Sequence, residues 1–210
     1  MMGLSHAMEQ RGWPMNSYGL LGILPVLYLD LDGVVNFTGS RTQYAKHSGF
    51  GHMRRGSVLD PSKPSYDAFT RRNNLLNLNW SAELLRKLAQ LPVELVILST
   101  WRHDFDTFKR ATQWDNLTEY RVLDWTDGPR GSEHSGKIPA LMADQLADPR
   151  PFIWIDDEAH AFYSDADRAA LSAVPSLLVT TDEKFGITLA DYTAMLDFLG
   201  SLNISPTEGR

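Results

Sequence analysis

The sequence predicts an α/β fold with a mostly parallel sheet covered by helices on both faces. Three observations carry this expectation. Apolar runs of strand length recur near residues 26–29, 93–98, 151–155 and 176–180, and stretches with helical spacing separate them. Three of those runs end in polar clusters, at Asp30 and Asp32, at Ser99, and at Asp156 and Asp157. The chain has 210 residues, 43% hydrophobic and 22% charged, which suits one soluble domain with a substantial core and room for an inserted subdomain.

The elements follow in order. Val26-Leu27-Tyr28-Leu29 reads as a buried strand that stops in the turn Asp30-Leu31-Asp32-Gly33. Residues 37–79 carry Gly, Ser, Pro and Asn with scattered aromatics and no sustained period, which predicts loops with short strands near 56–59 and 74–78. Ser81 is placed to cap a helix with the stripe Leu84, Leu85, Leu88 and Leu91, ended by Pro92. A second strand spans 93–98, a helix 103–113 and a weaker strand 120–123. Ser135-Gly136 leads into a helix from Lys137 to Leu146, and a strand over 151–155 runs into Asp156-Asp157-Glu158. A helix over 165–173, a strand over 176–180 and a last helix from the capping box Thr188-Leu189-Ala190-Asp191 to Leu199 complete the chain. The expected organisation is a loose leader over 1–24, one domain over 25–200 with a small basic insertion at about 37–80, and a polar tail over 201–210.

Composition excludes several classes of function. Without cysteine there are no disulfides, no disulfide-linked partner, no thiolate nucleophile and no zinc–cysteine site. No apolar run approaches the ~20 residues that cross a bilayer, and no secretory signal is visible, so a cytoplasmic protein without a membrane partner is the default expectation. The net charge of −6 is uneven: residues 36–80 carry a net +5 and the remainder −11. A basic segment directly after the aspartate turn would stand near whatever binds there.

The chemistry is concentrated at one edge. In a parallel sheet, ligands collect at the carboxyl ends of the strands, where Asp30, Asp32, Ser99, Asp156 and Asp157 all fall, with Lys137 at a helix start on the same rim. An EF-hand calcium loop would need further oxygen ligands after Asp32, but Val34, Val35 and Phe37 follow. Carboxylates converging at one rim need a cationic partner, and a hard ion such as Mg²⁺ takes oxygen ligands. Lys137 adds a point charge and Ser99 a hydroxyl donor, parts that suit phosphoryl transfer.

With these residues in place, the chain resembles a haloacid dehalogenase (HAD) superfamily phosphatase. Asp30-Leu31-Asp32-Gly33-Val34-Val35 matches that family's first motif, Ser99 its second, Lys137 its third and Asp156-Asp157 its fourth. The layout is similar to short bacterial HAD proteins and to the phosphatase domain of polynucleotide kinase/phosphatase enzymes. The resemblance implies a three-layer Rossmann-like fold with a small insertion, or cap, after the first strand. It also implies Asp30 as nucleophile and Asp32 as general acid and base. Mg²⁺ would be bound by Asp30, the Asp32 backbone carbonyl and Asp156 or Asp157. Ser99 would bond the phosphoryl group, with Thr100 as the alternative hydroxyl, because Thr100-Trp101 stands where the family often has glycine. Lys137 would steady Asp30 and the phosphate.

On the substrate side, Arg102 could clamp phosphate. Arg54-Arg55 and Arg71-Arg72, interleaved with Tyr44, Phe50, Tyr66 and Phe69, could receive a nucleotide or a nucleic-acid end; the alternative is that these aromatics form the insertion's own small core. Trp101 and Trp154 read as packing residues, and the six histidines show no metal-ligand spacing. The expected activity is Mg²⁺-dependent hydrolysis of a phosphate monoester, on a nucleotide or a phosphorylated nucleic-acid end. A small-metabolite phosphatase and a non-catalytic phosphate-binding module on the same fold are the alternatives.

Overall fold

The computed structural model describes residues 23–60, 74–125, 136–158, 161, 164–172 and 174–204. Most of the leader, the tail from residue 205, and Tyr66, Phe69, Arg71, Arg72 and Ser135 lie outside the described residues.

Five strands form a parallel sheet: β1 (Val26–Leu29), β4 (Glu94–Ile97), β5 (Arg121–Val122), β6 (Phe152–Asp156) and β7 (Ser176–Thr180), in the order β5-β4-β1-β6-β7. Successive side chains of these strands face opposite sides, so each strand contributes to two cores. Leu27, Leu29, Leu95, Ile97, Ile153 and Ile155 pack on one side with helices α2 (Ala82–Leu88), α3 (Phe105–Thr112) and α6 (Leu189–Ser201). Val26, Tyr28, Val96, Leu98, Phe152 and Trp154 pack on the other with α4 (Lys137–Ala147) and α5 (Asp165–Leu171). This is the expected three-layer α/β fold with a mostly parallel sheet. A seven-residue helix such as α2 is far below the ~12–15 residues that make an isolated helix even marginal, so docking of Leu84, Leu85 and Leu88 holds it in place.

The strand order fixes the site. From β1 the chain passes to β4 on one side and later returns to β6 on the other, so β1 is the point at which the winding reverses. The crevice beyond the carboxyl end of such a strand is where doubly wound sheets bind ligands. Register pairs Leu29 with both Ile97 and Ile155, bringing the residues after all three strands to one level.

The insertion departs from expectation. A helix, α1 (Arg41–His47), starts at Ser40, whose side chain accepts from the Gln43 N–H while Gln43 returns a bond to the Ser40 N–H. That capping box was present in the sequence, but the short helix lacks the apolar stripe that marks longer ones. The short strands near 56–59 and 74–78 are longer, β2 (Met53–Leu59) and β3 (Leu75–Ser81), and pair antiparallel. Helix α2 stops at Leu88, short of Leu91, because the residue before Pro92 is pushed out of the helical region. The helix expected over 103–113 opens as a 3₁₀ turn (Arg102–Asp104) and ends at Gln113, which is left-handed. No helix among the described residues is long and apolar enough to cross a membrane.

Candidate active site

Asp30 follows β1 directly and is buried, with the Leu31 N–H donating to its Oδ1 at 2.7 Å. Its other oxygen, Oδ2, accepts from Lys137 Nζ at 2.6 Å. The same ammonium donates to Asp156 Oδ2 at 2.7 Å, and the Glu158 N–H donates to Asp156 Oδ1 at 2.9 Å. Lys137 is only 2% exposed, so the lysine of the third motif is the centre of a buried ionic cluster. Burial alone would lower the lysine pKa, but Asp30 and Asp156 outweigh it and raise the value, keeping the ammonium charged. Asp156 also shifts upward, since burial and Asp30 together outweigh Lys137. One ammonium therefore does not neutralise the acids around it.

Asp157 adds a third carboxyl. Its pKa is pushed up to about 7 by burial, then by Asp30 and Asp156. One oxygen from each of Asp30, Asp156 and Asp157 lies within 4.8 Å of the other two, a spacing that could hold a metal ion. The donors are all hard oxygens, which fits Mg²⁺. Gly33 makes room for this arrangement. Its φ is +71°, and a Cβ there would meet Asp157 Oδ2 at 2.1 Å. Any larger residue at 33 must displace Asp157.

Asp32 points elsewhere. The strand ends at Leu29, so alternation does not extend to it; Asp32 is exposed at the rim and its carboxylate lies outside the cluster of three. Asn36 Nδ2 donates to Oδ1 at 2.5 Å and Trp101 Nε1 donates to Oδ2 at 2.9 Å. Crowding by neighbouring protein raises its pKa, while those two hydrogen bonds pull it back. The residue as a whole still meets solvent at the rim. Neither Trp101 nor Asn36 stands out in the sequence as a partner of Asp32. Trp101 was read as packing, which it also does at 6% exposure, and only its adjacency to Ser99-Thr100 hinted at more.

Ser99 is wholly buried beyond β4, and its Oγ has no hydrogen-bond partner among the described residues. Thr100 is half-buried. Arg102 has a left-handed backbone (φ +43°), and its guanidinium sits 4.6 Å from the Trp125 ring centre and 3.8 Å from Asp124. Arg54 and Arg55 are exposed on β2 and point to opposite faces of the hairpin. Arg54 shares its face with buried Trp80 and reaches Gln113 at 3.4 Å, while Arg55 lies opposite Asn79. Tyr44 and Phe50 are both buried, Tyr44 stacked on Phe37 and Phe50 edge-on to Tyr192, so neither offers a stacking platform and both follow the core alternative. Their apolar area was worth more in the core than beside the arginines. Trp154 is core, as expected.

The motif residues at 30, 137 and 156–157 thus meet where strands end, and Ser99 follows the neighbouring strand β4 at the same edge of the sheet. The description "HAD domain in Swiss Army Knife RNA repair proteins" matches residues 26–192. The chain belongs to that HAD family. The match runs from β1 into α6 and so covers the sheet and the whole acidic rim. The resemblance to HAD phosphatases related to polynucleotide kinase/phosphatase is borne out at the level of the family. No curated protein matches the chain. No solved structure matches it either.

Proposed function

We propose that this HAD domain is a Mg²⁺-dependent phosphomonoesterase that works through an aspartyl-phosphate. The observation that carries the reading is the buried Lys137 ammonium between Asp30 and Asp156, with Asp157 in the same cluster. Asp30, Asp156, Asp157 and the Asp32 backbone carbonyl would hold the ion, which supplies charge neutralisation at the phosphoryl oxygens. An Asp30 oxygen forms a bond to phosphorus as the bond to the leaving oxygen breaks. Asp32 gives its proton to that leaving oxygen. In the second step the Asp32 carboxylate takes a proton from water, the water oxygen bonds to phosphorus, and the Asp30–phosphorus bond breaks. Lys137 stays charged and holds Asp30 in line, and the Ser99 hydroxyl donates to the phosphoryl group.

The substrate is the phosphorylated end of a nucleic acid, RNA in particular. The family's description names RNA repair proteins, and the exposed Arg54 and Arg55 stand in the basic insertion, with Thr100 and Arg102 following Ser99. Two observations favour a compact substrate such as a nucleotide or sugar phosphate: Tyr44 and Phe50 are withdrawn into the core, and the chain as a whole is acidic. The cytoplasmic location expected from the sequence agrees with either substrate.

A phosphoester screen decides among these. It includes 3′- and 5′-phosphorylated RNA and DNA oligonucleotides, free nucleotides, sugar phosphates and an aryl phosphate, each with Mg²⁺ and with chelator. Mg²⁺-dependent release of phosphate, greatest from an oligonucleotide end, is the expected result. Folded protein that releases phosphate from none of them overturns the enzymatic reading and leaves a phosphate-binding module.

A further inference from the structure

We infer that Trp101 and Asn36 are positioning residues that fix the plane of the Asp32 carboxyl for proton transfer. The inference rests on the phosphatase reading above and extends it to two side chains outside the acidic cluster.

A carboxyl held at one oxygen still turns about its Cβ–Cγ bond. Asp32 is held at both, by Asn36 Nδ2 at Oδ1 and by Trp101 Nε1 at Oδ2. An indole nitrogen can only donate, so the direction of the Trp101 bond is unambiguous. The Asn36 amide is oriented as well. Its oxygen accepts from the Asn79 N–H at 2.9 Å, which turns its NH₂ toward Asp32. Asn79 is itself tied down, since its Nδ2 donates to the Phe37 carbonyl at 2.8 Å and its own carbonyl accepts from the Phe37 N–H at 3.1 Å. The indole is fixed by burial and by an edge-on contact with Phe108, ring centres 5.4 Å apart. The holders of Asp32 thus belong to two separate parts of the fold, the loop after β1, which is anchored on the hairpin strand β3, and the turn after β4. Each carboxyl oxygen has two lone pairs, so one bond to each leaves acceptor capacity, and the exposed position gives a leaving group and then a water access to it.

General acid–base catalysis is worth roughly 10²–10⁴-fold and depends on the proton lying within hydrogen-bond reach of its target. Loosening the carboxyl therefore hurts poor leaving groups most. A nitrophenolate departs without a proton, whereas an alkoxide does not. The quantity to follow is kcat/KM, because it reports formation of the aspartyl-phosphate and is blind to its later breakdown.

The test compares the parent with Trp101→Phe, which keeps an aromatic ring and removes the N–H, and with Asn36→Ala. Each is measured on an alkyl phosphate and on p-nitrophenyl phosphate. For both variants kcat/KM on the alkyl ester should fall at least about tenfold, with a loss below about threefold on the nitrophenyl ester and unchanged Mg²⁺ affinity. Equal losses on the two esters, or no loss on either, overturn the proposal. A second measurement does not need turnover. The indole N–H resonance that disappears in Trp101→Phe should move upfield in Asp32→Ala, and an unmoved resonance also overturns it. A parent protein that hydrolyses neither ester removes the phosphatase reading and any catalytic role for the pair, while the indole resonance still reports whether Trp101 holds Asp32.

Discussion

Lys137 Nζ donates to Asp30 Oδ2 at 2.6 Å, joining the first turn of α4 to the residue that follows β1. With Asp156 at 2.7 Å the lysine bridges two acids of the cluster, and all three side chains are almost completely withdrawn from water. Removing one partner of a buried ion pair leaves uncompensated charge and typically costs about 3–5 kcal/mol. Lys137→Met should therefore destabilise the metal-free protein by about that amount in urea unfolding, and should abolish phosphate release. Stability within about 1 kcal/mol of the parent would mean that the acids hold a proton in place of the ammonium's charge.

Ser99 and Thr100 offer two hydroxyls, and their environments separate them. The Ser99 Oγ is buried with no described partner, so deleting it removes an unsatisfied group and should be nearly neutral for stability. Ser99→Ala should melt within a few degrees of the parent yet lose activity by about 10²–10³-fold, the range for removing a donor to a developing anion. Thr100→Ala, at a half-buried position, should retain activity within about threefold. Comparing the two variants on one substrate checks the assignment, and the reverse ranking would move the phosphoryl contact to Thr100.

Gly33 sets the position of Asp157 from across the site. Alanine there meets both a left-handed backbone, costing roughly 1–2 kcal/mol, and the Asp157 carboxyl. Gly33→Ala should lower the melting temperature and weaken Mg²⁺ binding together, whereas displacement without metal loss would exclude Asp157 as a ligand. A pH effect follows from Asp157 in the parent. Its folded pKa of about 7 lies above the unfolded value, so the metal-free fold holds this proton more tightly than the unfolded chain does. Stability of the metal-free protein then declines as pH rises from about 4 to about 7. Mg²⁺ competes with that proton, so the melting-temperature gain from Mg²⁺ should be larger at about pH 8 than at about pH 5.5.

How far the sequence carried depends on which physical signal each residue leaves. Asp30, Ser99 and Asp156 sit directly after apolar runs, and the runs are strands because both faces of a parallel sheet are buried. Placement at the rim then follows from topology alone. Lys137 was legible only through its motif, since nothing local distinguishes a buried lysine from a surface one. Trp101 was not legible as a partner of Asp32, because a hydrogen bond across 69 residues leaves no trace in local spacing, and Asn36, close by in the chain, carries no signal that sets it apart from an ordinary turn residue. The insertion was half legible: its turn residues and charge marked it, but the pairing of β2 with β3 is set by Leu76, Leu78 and Trp80 facing the core.

The opposite pole of the sheet carries a second ionic network, and it governs behaviour in acid. Arg121 donates to Asp144 Oδ1 and Oδ2 at 2.6 and 2.9 Å and to Glu94 at 2.9 Å; Arg150 donates to Glu94 at 2.6 Å, and the Tyr28 hydroxyl donates to Asp144 at 2.6 Å. Burial pushes the Asp144 and Glu94 carboxyls up, but the Arg121 and Arg150 guanidiniums and, for Asp144, the Tyr28 hydroxyl outweigh it, and both pKa values end below their ordinary range. A depressed carboxylate contributes stability that is complete above the unfolded pKa of about 4 and is lost as pH falls through the folded value. Arg121→Leu removes the fork that binds both acids. The gap in melting temperature between parent and variant should therefore be widest near about pH 6 and should narrow toward about pH 3, where the acids are protonated in both proteins. Glu94 opens β4 and Ser99 lies beyond its far end, so phosphate release per folded molecule should not change. Thermal scans across that range check the charge argument, and a gap that stays constant with pH would assign the stabilisation to packing of the arginine stem instead.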